Sequence, residues 1–527
     1  VSVRRASLQV LGLMLAGACA AAAGDEPRDG LTAVRQSCSG CHPETAPGHF
    51  ERISAIRETP EGWVMTMSRM RQVHGLSISS KTKDLVLRYL TDAGGLAPSE
   101  AAAGRFALER RPNMQDVNLG EDLRVMCGRC HSMARTTLQR RDADEWLKLV
   151  HMHVGQWPTL EYQESGRNRY WWQSATTEVP QKLAALYPHD TPTWRAWKAR
   201  KHASLVGRWI VYGHTPGRGD YFGTAVIERR APEEYTTTYT LRYTDGKKLD
   251  GSSVAVVYTG YEWRGTATLG GQAVREVYAA SEDGAQLAGR WFESEHSEHG
   301  GDWTAVRADG APAVLAAYPR ALRRGASEEV VVIGRGLTGA ASFGPGTHVE
   351  VLSSEPGMMR LRVAVDPAAP LGYRDVAVGG GRGKALTAVY DRVVRVEVAP
   401  HYGIARLGGG KLSAVDAQFE AQGYIDIPGE GGKPTAVSLG ALPARWHVEP
   451  FNEQAAHAQD VRFAGQLDPT GRFLPAGAGP NPAREFSGNN VGDLAVVASV
   501  QDGSGQELSG KAHLVVTVQR WNTPPIY

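Results

Sequence analysis

Cys38-Ser-Gly-Cys41-His42 and Cys127-Gly-Arg-Cys130-His131 consume four of the five cysteines in the chain and set a histidine directly behind each pair. That spacing is the attachment signature of haem c: the thiols add across the haem vinyl groups as thioethers, and the adjacent imidazole reaches the iron as proximal ligand. Cys38, Cys41, Cys127 and Cys130 are read as covalent anchors of two c-type haems, with His42 and His131 on the irons. Zinc is the alternative for paired cysteines, but the immediate histidine after each pair favours haem. Helical patterns rich in Met, Trp and His surround both motifs, up to a change of character near residue 205.

The fifth cysteine, Cys19, falls in an N-terminal stretch with Arg4 and Arg5 ahead of an apolar run from Val10 to Leu15 and a small-residue tail from Ala16 to Gly24. This reads as a signal peptide over 1–24, cut among Ala20 to Gly24. A lipobox ending at Cys19 is disfavoured because Ala16 stands where a bulkier aliphatic residue is usual. Export places the protein in the periplasm, where haem attachment takes place. The formal charge of +2 gives no reason to expect nucleic acid, and no apolar run after the leader is long enough to span a bilayer.

The helical half carries a degenerate duplication. Thr59-Pro-Glu-Gly-Trp63 follows the first motif and Asp142-Ala-Asp-Glu-Trp146 the second. Thr59 and Asp142 are suited to cap helices, Pro60 fits a first turn, and Glu145 is placed to reach back in a capping box. Counted from the tryptophan, offsets 4, 7 and 11 hold Met67, Met70 and His74 in the first helix and Val150, His153 and Trp157 in the second, all on one helical face. A further amphipathic helix over Lys83 to Asp92, ended by Gly94-Gly95, resembles the terminal helix of a small cytochrome c lobe. The second lobe runs instead into Tyr170-Trp171-Trp172, Trp194 and Trp197, aromatic bodies suited to cover a haem or, the commoner reason for clustered tryptophan, to pack the lobe against a neighbour.

Sixth ligands come from Met65, Met67, Met70 and His74 in the first lobe and from His151, Met152 and His153 in the second. Offset 7 alone holds a competent ligand in both helices, so His42/Met70 and His131/His153 are favoured, with His74 and His151 in reserve. Methionine donates less to ferric iron than imidazole, which sets the first haem at the higher potential and runs electrons from the second to the first. Arg57, Arg71, Arg129, Arg135, Arg140 and Arg141 are candidates to neutralise haem propionates. Glu295-His-Ser-Glu-His-Gly offers metal ligands, but its polar, turn-like setting reads as a solvated loop. There is no nucleophile elbow, phosphate loop or His-Glu-x-x-His motif.

Beyond residue 205, short alternating runs broken by Gly, Pro and Asp indicate an all-β half. Tyr235 to Tyr243, the turn Asp245-Gly246 and Ser253 to Tyr261 suggest antiparallel hairpins of a barrel. Later evenly spaced strands suggest sandwiches. The fold expected is multidomain, α followed by all-β: cytochrome c lobes over 25–100 and 101–204, an antiparallel barrel over 205–310, an immunoglobulin-like sandwich over 311–392 and a second sandwich over 393–527.

This combination, with Met126-Cys-Gly-Arg-Cys-His-Ser-Met-Ala-Arg135, Gln139-Arg-Arg141 and Gly155-Gln-Trp-Pro-Thr-Leu-Glu-Tyr-Gln163, resembles the α subunit of quinohaemoprotein amine dehydrogenase over essentially the whole chain, most specifically over 125–172. The resemblance implies a heterotrimer with a β-propeller subunit and a small subunit carrying cysteine tryptophylquinone. That quinone oxidises a primary amine to an iminium, which hydrolyses to aldehyde and ammonia, while electrons leave through the α-chain haems to azurin or a soluble cytochrome c. It assigns this chain no catalytic acid or base. A dihaem peroxidase or quinone-maturing enzyme, with one open iron position, and a stand-alone electron-transfer cytochrome with binding β domains are the other classes the motifs admit.

Overall fold

Asp29 opens the first helix, α1 (Gly30–Cys38), by accepting from the backbone N–H of Thr32 at 2.8 Å. Helix α2 (Pro60–His74) begins at Thr59, whose hydroxyl accepts from Gly62 N at 3.4 Å, and stops at Gly75, where φ is +73°. Helix α3 (Ser80–Gly94) starts earlier than the apolar pattern indicates, because Ser79 caps it through Thr82 N at 3.0 Å. Then come α4 (Glu121–Cys127), α5 (Ala143–Gln156), α6 (Trp171–Leu186) and α7 (Pro192–Ala199). The computed structural model describes residues 26–105, 120–128, 131–157, 164–165, 170–429 and 433–519; the expected leader, Cys130, Arg129 and most of 158–169 lie outside them.

The two lobes have separate small cores. Val34, Phe50, Trp63, Met67, Val86 and Leu90 pack together in the first; Leu123, Met133, Trp146, Val179 and Leu183 in the second. The lobes meet where the duplication predicts equivalence. Arg57 and Arg140, each six residues before its tryptophan, stand opposite one another in a two-residue antiparallel ladder, Glu58 facing Gln139. Antiparallel pairing of equivalent residues relates the two strand segments by a local two-fold axis. Glu58 and Arg141, also equivalent, form a 2.8 Å ion pair with both side chains 2% exposed.

The barrel is an up-and-down meander of eight strands: β1 (Gly207–Thr215), β2 (Gly219–Ala231), β3 (Glu234–Tyr243), β4 (Gly251–Tyr258), β5 (Glu262–Leu269), β6 (Gln272–Ala280), β7 (Gln286–Glu293) and β8 (Gly300–Arg307). It closes by pairing β8 with β1. Alternation along β3 buries Tyr235, Thr237, Tyr239, Leu241 and Tyr243, so the interior is filled by side chains. The strand expected to reach Tyr261 stops at Tyr258, because the chain turns at Gly260, φ +86°. A Cβ there would lie 2.2 Å from the Leu96 carbonyl, so this hairpin packs directly on the haem half. Trp194 and Trp197 join the barrel's core cluster. Arg264 of β5 is largely buried between Glu61, in the first turn of α2, and Glu262, which also takes Arg105 at 2.7 Å. Burial opposes its charge, and the two carboxylates more than offset that, raising its pKa above the ordinary arginine value.

Two further domains follow, the third of two sheets sharing one core and the fourth of two sheets with a third, three-stranded one (Ala417–Gln418, Arg472–Pro475 and Gly465–Leu467) joining their core. In the third, Val332, Leu361 and Val363 of one four-stranded sheet pack against Leu322, Val376 and Val389 of the other. In both, the opening strand pairs antiparallel in one sheet, passes an X-Pro bond (Tyr318-Pro319, Ala399-Pro400) and pairs in parallel in the other. Among the described residues no helix is long and apolar enough to cross a membrane.

Candidate haem sites

Each haem motif begins on the last residue of a helix, so the chain leaves a regular turn as its first cysteine is presented. Cys38 ends α1, and its carbonyl accepts from both Cys41 N at 3.1 Å and His42 N at 2.9 Å. One added turn thus carries both thiols and the imidazole. Neither cysteine is in a disulfide; burial, with a smaller contribution from Cys41, pushes the Cys38 thiol up to about 11. Arg35 of α1 grips Glu44 through two bonds of 2.9 and 2.8 Å, and Glu44 also accepts from Gly48 N, so the segment after the motif is clamped back onto the helix before it. His42 Nδ1 lies 3.2 Å from Glu51 O.

The second motif repeats the arrangement: Cys127 ends α4, Gly128 N donates to Arg124 O at 2.9 Å, and burial pushes the Cys127 thiol up to about 11. Here two histidines come together. The rings of His131 and His153 are 6.3 Å apart between centres and inclined by 37°. His131 Nδ1 is 2.9 Å from Ser132 O, and His153 Nδ1 is 2.7 Å from Leu149 O. A carbonyl partner puts the proton on Nδ1 and leaves Nε2 with its lone pair, the tautomer a metal-ligating imidazole needs. An ion bonded at about 2 Å to one nitrogen of each ring, with each ring centre about 1 Å further out, sets the centres about 6 Å apart. The residues fit that geometry. Burial lowers the His153 pKa and nearby Arg69, Arg135 and Arg141 add to the effect, while the Leu149 carbonyl opposes it, so the ring is held neutral.

The remaining candidates separate by position. His151 is exposed and meets Trp172 edge-on at 5.1 Å, while Met152 is half-buried. In the first lobe Met67 is consumed by the core around Trp63, and Met65 packs against the Leu96 and Ala101 cluster. Met70 is half-buried and His74 is exposed at the end of α2. No hydrogen bond or ring contact joins His42 to Met70 or His74 among the described residues.

Three of the arginines proposed for propionates serve elsewhere. Arg57 is locked in a bidentate pair with Glu100 at 2.9 Å, Arg141 is held by Glu58, and Arg140 donates to the carbonyls of Thr137, Gln139 and Glu100. A buried guanidinium without these partners would be strongly destabilising, which is why the inter-lobe seam takes them. Arg71 is exposed. Arg135 makes no ion pair among the described residues and is half-buried, its pKa lowered by desolvation. Sequence reading missed Arg69, which behaves alike: burial lowers it against the attraction of Glu58, and its charge also bears on His153. It lies one residue before Met70, and only the packing of α2 against the second lobe turns it there. Glu145 does not complete a capping box: Asp142 caps Glu145 N at 2.8 Å, but the Glu145 carboxylate goes to Lys148 at 2.6 Å and Arg52 at 3.3 Å.

Several solved structures share local likeness with the chain. A redesigned beta barrel, mFAP1, bound to DFHBI is 18% identical, covering 19% of this chain and 91% of its own, with a TM-score of 0.17. A de novo designed fluorescence-activating beta barrel is 19% identical over 19% of this chain and 92% of its own, at 0.17. Mouse clustered PcdhgC3 EC1-3 is 12% identical over 45% and 77%, at 0.15. No curated protein matches. Family models match in succession along the whole chain: quinohemoprotein amine dehydrogenase A, alpha subunit, haem binding, over residues 29–194; alpha subunit domain II over 202–308; domain III over 311–391; and domain IV over 396–526. With both Cys-x-x-Cys-His motifs inside the first of these and the barrel inside the second, the chain belongs to the family of quinohaemoprotein amine dehydrogenase α subunits, a haem-binding component of an oxidoreductase complex.

Proposed function

We propose that this chain is the periplasmic electron-transfer subunit of an amine dehydrogenase, exported by a leader over 1–24. It carries two covalent c-type haems, on Cys38 and Cys41 with His42 and Met70, and on Cys127 and Cys130 with His131 and His153. Its partners are a β-propeller subunit and a small subunit bearing cysteine tryptophylquinone, and its acceptor is azurin or a soluble cytochrome c. The reading rests on the succession of four domain models of one subunit from residue 29 to residue 526. When bound, each haem supplies reversible one-electron chemistry, which suits stepwise discharge of a two-electron quinone.

The protein's own residues hold and tune those groups. Carbonyls of Glu51, Ser132 and Leu149 orient the three imidazoles through Nδ1. Arg69 and Arg135, both half-buried, supply positive charge beside His153, suited to haem propionates. Ion pairs of Glu58 with Arg141 and of Glu100 with Arg140 fix the lobes to one another, and Glu61 fixes them to the barrel. We divide the chain into lobes over 25–100 and 101–204, a barrel over 205–310 and β domains over 311–392 and 393–527. The last two are immunoglobulin-like, a reading supported by the shared sheet-switching first strand.

Purification from the native host under mild conditions tests the reading. A three-chain complex with two haems on this chain, both reduced when a primary amine is added, is the expected result. A lone chain whose haems ignore amines would overturn it. A resting high-spin haem that reacts with peroxide would favour the peroxidase class instead.

A further inference from the structure

The Glu295 to Gly300 stretch is not the solvated loop its polarity indicates. It forms the turn between β7 and β8, and Arg290 of β7 pins its backbone, donating to Ser297 O at 2.7 Å and Glu298 O at 3.0 Å. The turn is wedged against the fourth domain. His299 Nε2 lies 2.9 Å from Asp416 Oδ2, and the Glu298 carboxylate, 7% exposed, accepts from Asp416 N at 3.4 Å and from His296 Nδ1 at 3.1 Å. The rings of His296 and His299 are stacked, 5.1 Å between centres and 15° from parallel. One potential ligand atom from each of His296, Glu298 and His299 lies within 4.8 Å of the others.

We propose that His296, Glu298 and His299, with Asp416 as fourth ligand, bind one divalent transition-metal ion of the Zn²⁺ class at the seam between the barrel and the fourth domain. Two imidazole nitrogens with carboxylate oxygens are a zinc donor set, whereas Ca²⁺ and Mg²⁺ take oxygen alone and the softest ions take thiolate. Ligand atoms around a tetrahedral zinc stand about 3.3 Å apart for bonds of about 2 Å, and the 2.9 Å between His299 Nε2 and Asp416 Oδ2 is near that already. The outer shell is in place as well. Glu293 Oε2 lies 3.4 Å from His299 Nδ1, the carboxylate–histidine–metal arrangement that fixes a ligating ring. Glu293, Glu298 and Asp416 put three carboxylates around two imidazoles, and Arg472, whose charge also bears on His299, offsets only part of that negative charge.

Bound there, the ion staples the β7–β8 turn to a residue 117 positions along the chain. It does so beside a second bridge between the same two domains, where His214 lies 2.8 Å from Glu420. The site is separate from the haem half and does not rest on the functional reading above.

The test is calorimetric titration of Zn²⁺ into the full-length, haem-loaded protein after chelator treatment, with zinc counted separately from iron. One equivalent binds, and His296→Ala and Glu298→Gln each weaken it by roughly tenfold or more. Zn²⁺ raises the thermal midpoint of the unsubstituted protein, and Asp416→Asn abolishes that rise because the ion no longer bridges the domains. His296 is 39% exposed and its loss leaves the inter-domain bonds of His299 and Glu298 in place, so that variant folds. Absence of stoichiometric uptake, or equal uptake by both the His296 and Glu298 variants, would overturn the proposal.

Discussion

The two haem lobes start from one pattern and end differently. Both present the first cysteine on the last residue of a helix, and both begin a second helix at a capped residue four positions before a buried tryptophan. In the first lobe α3 packs against α1 and α2 to complete a core, and Arg35–Glu44 clamps the motif from outside. Among the described residues the second has a smaller core and no equivalent clamp: Arg124, the counterpart on α4, pairs with Glu121 on its own helix. Instead it gathers function-bearing groups, with His153 facing His131 and Arg69 reaching in from the other lobe. Local signals are kept by duplication, while the surroundings of each motif are set by which side chains the packing turns inward.

The sharpest way to break the comparison is His153→Ala. If His153 is the sixth ligand, one of the two haems loses its low-spin absorption and paramagnetic-resonance signature entirely while the other keeps its own, and His151→Ala changes neither. His153→Met moves the lower-potential wave of a redox titration upward, on the order of 0.1 V within the about 0.8 V span that axial ligands cover. A spectrum indifferent to His153 sinks the assignment. Next in size is the seam between the lobes. Glu58→Gln leaves Arg141 buried without its main partner and destabilises the helical half by about 3–5 kcal/mol in chemical denaturation followed by circular dichroism. Replacing both partners with apolar residues recovers most of that loss, since the desolvated charge goes with them.

Much of this was legible because it is local. The Thr59 and Asp142 caps and the alternation of Tyr235 to Tyr243 are each decided within a few residues, and the helices and the barrel strand start where those signals stand. Ser79 shows how a polar cap outranks an apolar pattern in setting a boundary. What escaped depends on partners distant in sequence. Arg57, Arg140 and Arg141 look like free cations until the lobes fold onto one another, and Glu295 to Gly300 looks like solvent-facing turn until Asp416 arrives. The offset argument singled out the histidine that faces His131, because the two helices share a face; it was silent about Arg69, which lies off that face.

The caps allow a finer comparison of the lobes. Asp142 bonds Glu145 N at 2.8 Å, a charged acceptor at close range, whereas Thr59 reaches Gly62 N at 3.4 Å. Asp142→Ala therefore costs about 1 kcal/mol and Thr59→Val, which keeps the buried shape, about half as much. Equal losses in urea denaturation would show that the duplicated caps remained equivalent in strength.

Smallest of all is the outer clamp of the first motif. The Arg35 guanidinium, helped by Gly48 N, holds the Glu44 carboxyl down at about 2 against an ordinary 4.5. A depressed folded-state pKa contributes its stabilisation fully above the unfolded value and loses it as pH falls through the folded one. The clamp is intact at neutral pH, weakens as pH drops below about 4.5 and is released near 2. Circular dichroism in the haem band of the first site is expected to shift over that window, and Glu44→Gln removes the shift. Because the Arg124–Glu121 pair stays within one helix, protonating Glu121 leaves the second motif where it is. A haem-band change at the second site over the same window would mean that its anchoring, too, depends on a surface carboxylate, and the contrast between the lobes would then lie in the iron ligands alone.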